Sequence, residues 1–296
     1  MIRETWALVV QTAYPESADA WIQLGIVPEL MNAAARRKRS TILMNYKPQI
    51  RAKCIGGAAL LIWLIPAFAF GAEPVCQVAS PTATFSVPHA APGQKLNTDP
   101  KSAMWSHAAS ASITKDCTHE IDYPNLKTEV RAFWTDSDLY LLFICPYTEL
   151  NLWLPADNSK DRLKLWDRDV VEFFLGDDWK DIKHYREFEI APTGDWVDLA
   201  IDLNKESYDS KWNSGYEHQG RIDETNHVWY AATRVPLKSV SDQPVQAGTK
   251  WRANLYRIDG LGADPQRHFM CWQPTCVVNR DPNHVPEHFG TLIFTK

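Results

Sequence analysis

Residues 128–145 read T-E-V-R-A-F-W-T-D-S-D-L-Y-L-L-F-I-C. In Thr128–Trp134 polar and apolar side chains alternate, which is the period of a strand with one buried face. Asp136 to Asp138 supply turn residues, and Leu139–Cys145 is apolar throughout. The stretch therefore predicts a β-hairpin whose second strand is buried on both faces or nearly so.

Further short strands are predicted downstream of this hairpin. They are Val170–Leu175, Tyr185–Ile190, Trp196–Leu203, Val228–Val235, Trp251–Ile258 and Gly290–Phe294. No amphipathic helix separates them, so the predicted fold class is all-β, an antiparallel β-sandwich. Residues 259–288 are predicted to form a long loop, and a loop of more than ~15 residues without its own secondary structure is usually functional.

The N-terminal part of the sequence has the pattern of an export signal. Cys54–Ala72 is apolar, follows the basic residues Lys47, Arg51 and Lys53, and ends in small residues. This predicts a signal peptide over 44–72, since a basic region, an apolar core and small cleavage-site residues define one. A transmembrane anchor is the alternative, because the run approaches the ~20 residues that span a bilayer.

The signal peptide divides the chain into predicted segments. Residues 1–43 are either a disordered leader or a mis-called start, with translation beginning at Met44. Residues 73–104 form an extended lead-in, rich in Pro, Ala, Ser and Thr in its first part, and 105–296 form the β-sandwich. We therefore expect an exported protein, periplasmic or extracellular, without a stable membrane anchor after cleavage.

The charge balance limits the classes of partner. Of the 31 Lys and Arg residues, 8 lie before residue 73, against 4 of the 36 Asp and Glu residues, so the exported part is more acidic than the whole chain at −5. An acidic surface repels phosphate groups, and we expect no nucleic-acid partner.

Five of the six cysteines follow the predicted signal. Cys271 and Cys276 flank the short loop W-Q-P-T and are the preferred disulfide pair. Cys145 lies in an apolar run and is predicted to be a buried free thiol. The sequence contains no Cys-x-x-Cys pair, so it gives no support for a structural zinc site.

Ten of the thirteen tryptophans lie after residue 72. Those inside predicted strands, such as Trp134 and Trp251, are expected to fill the core. Trp166 lies in the polar stretch D-R-L-K-L-W-D-R-D and Trp272 in the long loop. An indole in such a setting offers a flat apolar face for a sugar ring, so both are candidate ligand platforms.

Glu172 interrupts the apolar strand V-V-E-F-F-L, and Arg186 lies on the next predicted strand. A carboxylate there must face solvent or be paired, because a bare buried charge costs several kcal/mol, roughly. The two side chains are either a structural salt bridge or a polar grip on sugar hydroxyls, and the residues alone leave both interpretations open.

Five ordered motifs resemble the family 9 carbohydrate-binding modules and the secreted proteins similar to them. The motifs are W-D-R-D-V-V-E-F-F-L from residue 166, H-Y-R-E-F-E-I-A-P-T-G from 184, R-A-N-L-Y-R-I from 252, C-W-Q-P-T from 271 and H-V-P-E-H-F-G-T-L-I-F from 284. The resemblance covers residues 105–296 and implies a jelly-roll-like antiparallel β-sandwich that holds plant-type polysaccharide or oligosaccharide between two Trp rings.

The resemblance also implies roles for particular residues. Trp166 with Glu172 matches the family's Trp-x-x-x-x-x-Glu motif, and Trp272 matches the second ring. Arg186 matches the family's arginine less closely, and Gln273 with Asn279 would supply amide contacts. The family's structural calcium suggests Asp177, Asp178 and Asp181 as ligands; no other cofactor is expected. Such modules are usually joined to a glycoside hydrolase, which this chain has no room for, so it acts alone or with a separate enzyme in carbohydrate catabolism.

Two rival functions have sequence support of their own. A glycoside hydrolase would use two carboxylates, either Asp169 with Glu172 or Glu187 with Glu189, the latter two lying on one strand face. A haem-binding sandwich of an electron-transfer system would use His268 and Met270. We expect a binding protein, with no catalytic residues.

Overall fold

The computed structural model describes Cys76 and residues 81–261, 267–277 and 280–296. The predicted leader, the signal peptide over 44–72 and Asn279 lie outside the described residues. Within the described ranges, no helix has both the length and the apolar character needed to cross a bilayer.

The described chain forms thirteen strands in two sheets. Their bounds are β1 Thr84–Val87, β2 Ala109–Ile113, β3 Thr128–Trp134, β4 Asp138–Pro146, β5 Val170–Gly176, β6 His184–Ile190, β7 Trp196–Asp202, β8 Ser207–Asp209, β9 Glu217–Asp223, β10 Val228–Pro236, β11 Lys250–Asp259, β12 His268–Cys271 and β13 Gly290–Phe294. One α-helical turn, α1 (Leu237–Val240), follows β10. The predicted all-β sandwich is confirmed.

Sheet A has the order β1-β13-β11-β5-β6-β7-β8, with β12 paired to the far end of β11. Sheet B has the order β2-β3-β4-β10-β9. All neighbouring strands run antiparallel except β1, which runs parallel to β13. The predicted hairpin is β3–β4, with Trp134 opposite Leu139.

All eight strands predicted from alternation or apolar runs are present, with ends within two residues of those expected. Five strands were not predicted: β1, β2, β8, β9 and β12. All five lie at a sheet edge or pair along one side only. Few side chains of β2, β8, β9 and β12 are buried, so their sequences carry little apolar alternation. The edge strand β1 does alternate, but it is four residues long and lies within the predicted lead-in, where it pairs with β13.

The main core lies between the sheets. Sheet A contributes Phe173 and Leu255 among others, and sheet B contributes Phe143 and Trp229. A second apolar cluster covers the outer face of sheet A, where Phe174, Tyr185 and Tyr256 pack under Phe289. Both faces of the central strands are therefore buried, which is why β5 is apolar at nearly every position.

A glycine pair lets sheet B approach a turn of sheet A. The turn after β6 places Gly194 (φ +88°) so close to Gly220 of β9 that a Cβ on Gly220 would lie 2.3 Å from the Gly194 nitrogen. Only glycine fits this crossing, since real Cβ atoms do not approach that near.

The predicted Cys271–Cys276 disulfide is wrong. The described bonds are Cys117–Cys271 and Cys76–Cys276. The segment around Cys117 lies beside both late cysteines, because its backbone carbonyl accepts hydrogen bonds from the amides of Thr275 and Cys276. Cys271 therefore meets Cys117 and leaves Cys276 for the N-terminal segment, while Cys145 is the free buried thiol as predicted.

Candidate functional site

A pocket of about 880 Å³ opens on the outer face of sheet A. Its floor includes Glu172 of β5 and Glu187 of β6. It is also lined by Trp166 and Asp167 of the 3-10 turn Leu165–Asp167, by Tyr208 of β8 and by residues 280–284 of the long loop. This volume lies within the range of small-molecule sites, roughly 300–1,000 Å³.

Strand register places a third buried carboxyl group, that of Glu189, beside the two that line the pocket. Glu172 lies directly opposite Glu189 across the β5–β6 pair. Glu187 is two residues from Glu189 on the same strand and therefore points to the same face. All three side chains are 3% exposed or less, and they lie among the apolar residues of the outer cluster.

Few donors reach these carboxyl groups among the described residues. Glu172 Oε2 accepts a hydrogen bond of 2.8 Å from Asn283 Nδ2. No N–H or hydroxyl group donates to Glu187 Oε2 or to either oxygen of Glu189, and the carboxyl groups of Glu187 and Glu189 interact with each other. His284 Nε2 stands 3.7 Å from Glu187 Oε2, too far for a hydrogen bond. Few hydrogen bonds from other residues therefore reach the carboxyl groups of the floor.

Burial raises the pKa of Glu172, Glu187 and Glu189, because an ionised carboxylate loses its hydration there. Repulsion adds to the pKa of Glu172 through Glu187 and to the pKa of Glu189 through Glu172 and Glu187. The three groups consequently resist ionising together, as neighbouring carboxyl groups do.

Two aromatic side chains stand at the pocket with exposed faces. Trp166 is 37% exposed and Tyr208 is 50% exposed. Two contacts fix the backbone at Trp166. Leu165 beside it is buried, and Arg267 Nη1 donates a hydrogen bond of 2.6 Å to the Trp166 carbonyl. Tyr208 lies on the short edge strand β8, and its ring meets His284 edge-on at 5.1 Å between centroids.

The loop side of the pocket is anchored to sheet A through His284. Its Nδ1 lies 2.7 Å from the hydroxyl of Tyr185 in a hydrogen bond, and its ring lies 5.1 Å from that of Phe174. The Asn283 carbonyl accepts a hydrogen bond of 2.8 Å from the hydroxyl of Tyr256. The loop residues at the pocket are therefore positioned by buried contacts with the sheet.

Of the residues predicted to bind a ligand, the structure brings Trp166 and Glu172 to one pocket. It does not bring Arg186 there. Glu172 lies opposite Glu189 in the β5–β6 pair, whereas Arg186 lies opposite Leu175. Because the Leu175 side chain faces the inter-sheet core, Arg186 also points to that face of the sheet and away from the pocket. Arg186 accordingly stacks over Trp212 at 4.9 Å and donates to the Ser239 carbonyl.

Trp272 and Gln273 also lie outside this pocket. Trp272 packs at the inter-sheet core against Phe85, and a Cβ on Gly290 would lie 2.8 Å from its ring. Gln273 is buried, and its Oε1 accepts hydrogen bonds from the amides of Thr82 and Ala83. Both side chains connect the loop to the start of β1, which explains their position without a ligand.

The predicted calcium ligands lie in and just after the acidic turn that follows β5, where the carboxylates of Asp178 and Asp181 accept hydrogen bonds from neighbouring residues. The Asp178 carboxylate accepts backbone N–H bonds from Lys180 and Asp181. The Asp181 carboxylate is held by His184 and Asn204. With Asp177 they make no metal site, and across the described ranges no group of three His, Cys, Asp or Glu could hold a metal ion.

The structure also places the residues of the two rival functions, glycoside hydrolysis and haem binding. Glu187 and Glu189 share a face as the hydrolase alternative requires, but Glu189 does not line the pocket. Asp169 is occupied by the amides of Asn151 and Gly260, and burial raises its pKa to about 7. Met270 is buried in the inter-sheet core, which removes the support for a haem ligand there.

Comparison with known proteins gives a match by structure and not by sequence. No family model matches this chain, and neither does any curated protein. A family 9 carbohydrate-binding module from Caldicellulosiruptor kristjanssonii, solved with cellotriose, aligns over 72% of this chain and 94% of its own, with a TM-score of 0.51 and 11% identity. The same organism's module solved with glucose gives the same TM-score and identity.

A third structure comes from Bacteroides uniformis, a protein to which carbohydrate binding has been ascribed. It has 18% identity and a TM-score of 0.54, covering 71% of this chain and 98% of its own. This chain has the fold of a family 9 carbohydrate-binding module. The family 9-like fold expected from the five motifs is thereby confirmed, while the low identities leave the site residues to be argued from this structure.

Several residues at the pocket of this family 9-like fold were not identified from the sequence as ligand residues. Tyr208 lies on a three-residue strand, and Asn283 and His284 lie in the polar run N-R-D-P-N-H. The signal that pointed to the last two was the length of the loop over 259–288, part of which does line the pocket. Nothing in the local sequence around Tyr208 distinguishes it from a surface tyrosine.

Proposed function

We propose that this chain binds carbohydrate in the pocket on the outer face of sheet A, with a sugar ring stacked on Trp166. The observation that carries the proposal is the joining of exposed aromatic faces, Trp166 and Tyr208, to a polar floor containing Glu172. Apolar ring faces accept the C–H face of a sugar, and carboxyl oxygens accept hydrogen bonds from its hydroxyl groups.

The fold supports the same proposal independently. The solved modules of this fold hold cellotriose and glucose. Cellotriose and glucose are therefore the first ligands to test for this chain, and a β-1,4-linked glucan of plant type is the expected class.

The binding experiment is calorimetric titration of the purified protein with cellotriose and glucose. Trp166→Ala is expected to weaken cellotriose binding by about 1–3 kcal/mol, the loss for removing a stacked aromatic anchor. Trp179→Ala is the matched control, because Trp179 is 51% exposed but lies outside the pocket, with its indole N–H bonded to the Lys250 carbonyl. Equal losses in both variants, or none in either, would refute the site.

Trp272→Ala distinguishes a ligand-binding role of Trp272, which the motif predicts, from the packing role that the structure shows. The motif predicts that this substitution weakens binding directly, whereas the packing against Phe85 and Gly290 predicts a loss of folding stability of about 3 kcal/mol or more. Affinity and denaturant unfolding measured on the same sample distinguish the two expectations.

The proposal includes export and a role in carbohydrate catabolism, alone or beside a separate glycoside hydrolase. The two disulfides support export, since such bonds persist in oxidising compartments. Cell fractionation tests the location. Co-purification with a secreted hydrolase tests the partner, and recovery of the protein in the cytosol with reduced thiols would oppose export.

A further inference from the structure

The acceptor-rich floor of the pocket suggests which sugar it takes. Glu187 is 3% exposed, lines the pocket and has one carboxyl oxygen without a hydrogen-bond partner. Asn283 also lines the pocket, and its side-chain oxygen is buried without a partner. Both atoms are acceptors, so a ligand that satisfies them must bring donors.

Acidic side chains outnumber basic ones among the residues that line the pocket. The pocket is lined by the acidic residues Asp167, Glu172, Glu187 and Asp281. Of its basic residues, Arg280 pairs with Glu287. His284 uses Nδ1 on Tyr185, and its Nε2 lies 3.7 Å from Glu187 Oε2, beyond hydrogen-bond distance. Arg267 lies outside the lining and donates to the carbonyls of Trp166 and Arg168, while its charge lowers the pKa of Glu172 from nearby.

A neutral hydroxyl both donates and accepts, so it satisfies such a floor only in part. A protonated amine has three N–H donors, no acceptor and a positive charge, which suits paired carboxyl oxygens better. A metal ion would be the other cationic occupant, but the carboxyl groups of the described chain form no cluster that could hold one.

We propose that the pocket prefers amino sugars, binding the protonated amine of a glucosamine-type unit at Glu187 and Glu172 while Trp166 stacks on the ring. This rests on the proposed carbohydrate function and narrows its ligand class. The N–H groups of the amine donate to the carboxyl oxygens of Glu187 and Glu172. Trp166 stacks on the sugar ring as it would on a neutral sugar.

The test uses three trimers with the same β-1,4 linkage that differ at C2: glucosamine, N-acetylglucosamine and glucose. Calorimetry at neutral pH is expected to show the glucosamine trimer binding about tenfold or more tighter than cellotriose, as a charge-assisted hydrogen bond allows. The N-acetylated trimer should lose that advantage, because its nitrogen is uncharged.

Glu187→Gln keeps the size of the side chain and removes its charge. It is expected to bring the glucosamine-to-glucose affinity ratio close to one. Glu224→Gln, on the exposed turn between β9 and β10, is the matched control and should leave the ratio unchanged. The control guards against weak attraction of any polyamine to an acidic protein.

The outcomes distinguish the amino-sugar preference from carbohydrate binding itself. Equal affinity for all three trimers would overturn the amino-sugar preference and leave carbohydrate binding in place. No binding of any trimer would overturn both. If cyclohexylamine bound as tightly as the glucosamine trimer, the cation site would stand and recognition of the sugar ring would fall.

Discussion

The buried carboxyl groups should make folding stability depend on pH in a way that one substitution removes. Glu189 is fully buried, receives no hydrogen bond from an N–H or hydroxyl group and lies opposite Glu172. Burial first, and then repulsion by Glu172 and Glu187, raises its pKa in the folded protein. Above the unfolded pKa the folded state therefore holds more protons than the unfolded chain, so stability falls as pH rises toward the folded pKa.

The magnitude follows from the pKa of the unfolded chain. Each pH unit above about 4.3 costs about 1.4 kcal/mol until the folded-state pKa is reached. At pH 7 the distance from the unfolded pKa is about 2.7 units, so the cost of this one group is at most about 3.7 kcal/mol. Glu189→Gln removes the ionisation and adds an amide donor beside two acceptors.

The assay is urea unfolding of Glu189→Gln and the wild-type protein, with disulfides intact, at about pH 4.5, 6 and 7.5. The free energy of unfolding of Glu189→Gln relative to wild type should change little at the lowest pH and increase with pH, by at least about 1 kcal/mol near neutrality. Glu224→Gln should stay within about 0.5 kcal/mol of wild type throughout. A Glu189→Gln difference that stays constant across the range would refute a raised pKa at this site.

Three further predictions follow from other contacts. Peptide mapping of the non-reduced protein should recover Cys117 linked to Cys271, and Cys117→Ser should cost about 2–5 kcal/mol in denaturant unfolding; a Cys271–Cys276 peptide would contradict the fold around these loops. Gly220→Ala should destabilise by several kcal/mol, roughly, through its clash with the neighbouring turn, and a melting temperature equal to wild type would contradict that crossing. Burial lowers the pKa of His218 to about 4, so its NMR titration should have its midpoint well below the ordinary 6.5, and its contribution to stability should fall as pH drops from 6.5 toward 4.

Alternation along the chain was enough to locate the central strands. The T-E-V-R-A-F-W pattern and the apolar run after it became β3 and β4, because side chains in a strand alternate between faces whatever the rest of the fold does. The resemblance to family 9 modules paired Trp166 with Glu172, and the structure brings these two residues to the same pocket. Edge strands such as β9 escaped prediction since exposure on one side removes the apolar pattern.

The sequence by itself thus determined the sandwich class, the central strands and the buried free thiol, and it singled out Trp166 and Glu172, which lie at one pocket. Only the tertiary structure decided which face each strand presents to the core, and that placed Arg186 and Trp272 away from Glu172. It also decided that Cys271 meets Cys117, and that Tyr208 stands at the pocket. The reason is physical: local periodicity is set by backbone geometry, whereas the assignment of faces and the closing of long loops depend on contacts between residues far apart in the chain.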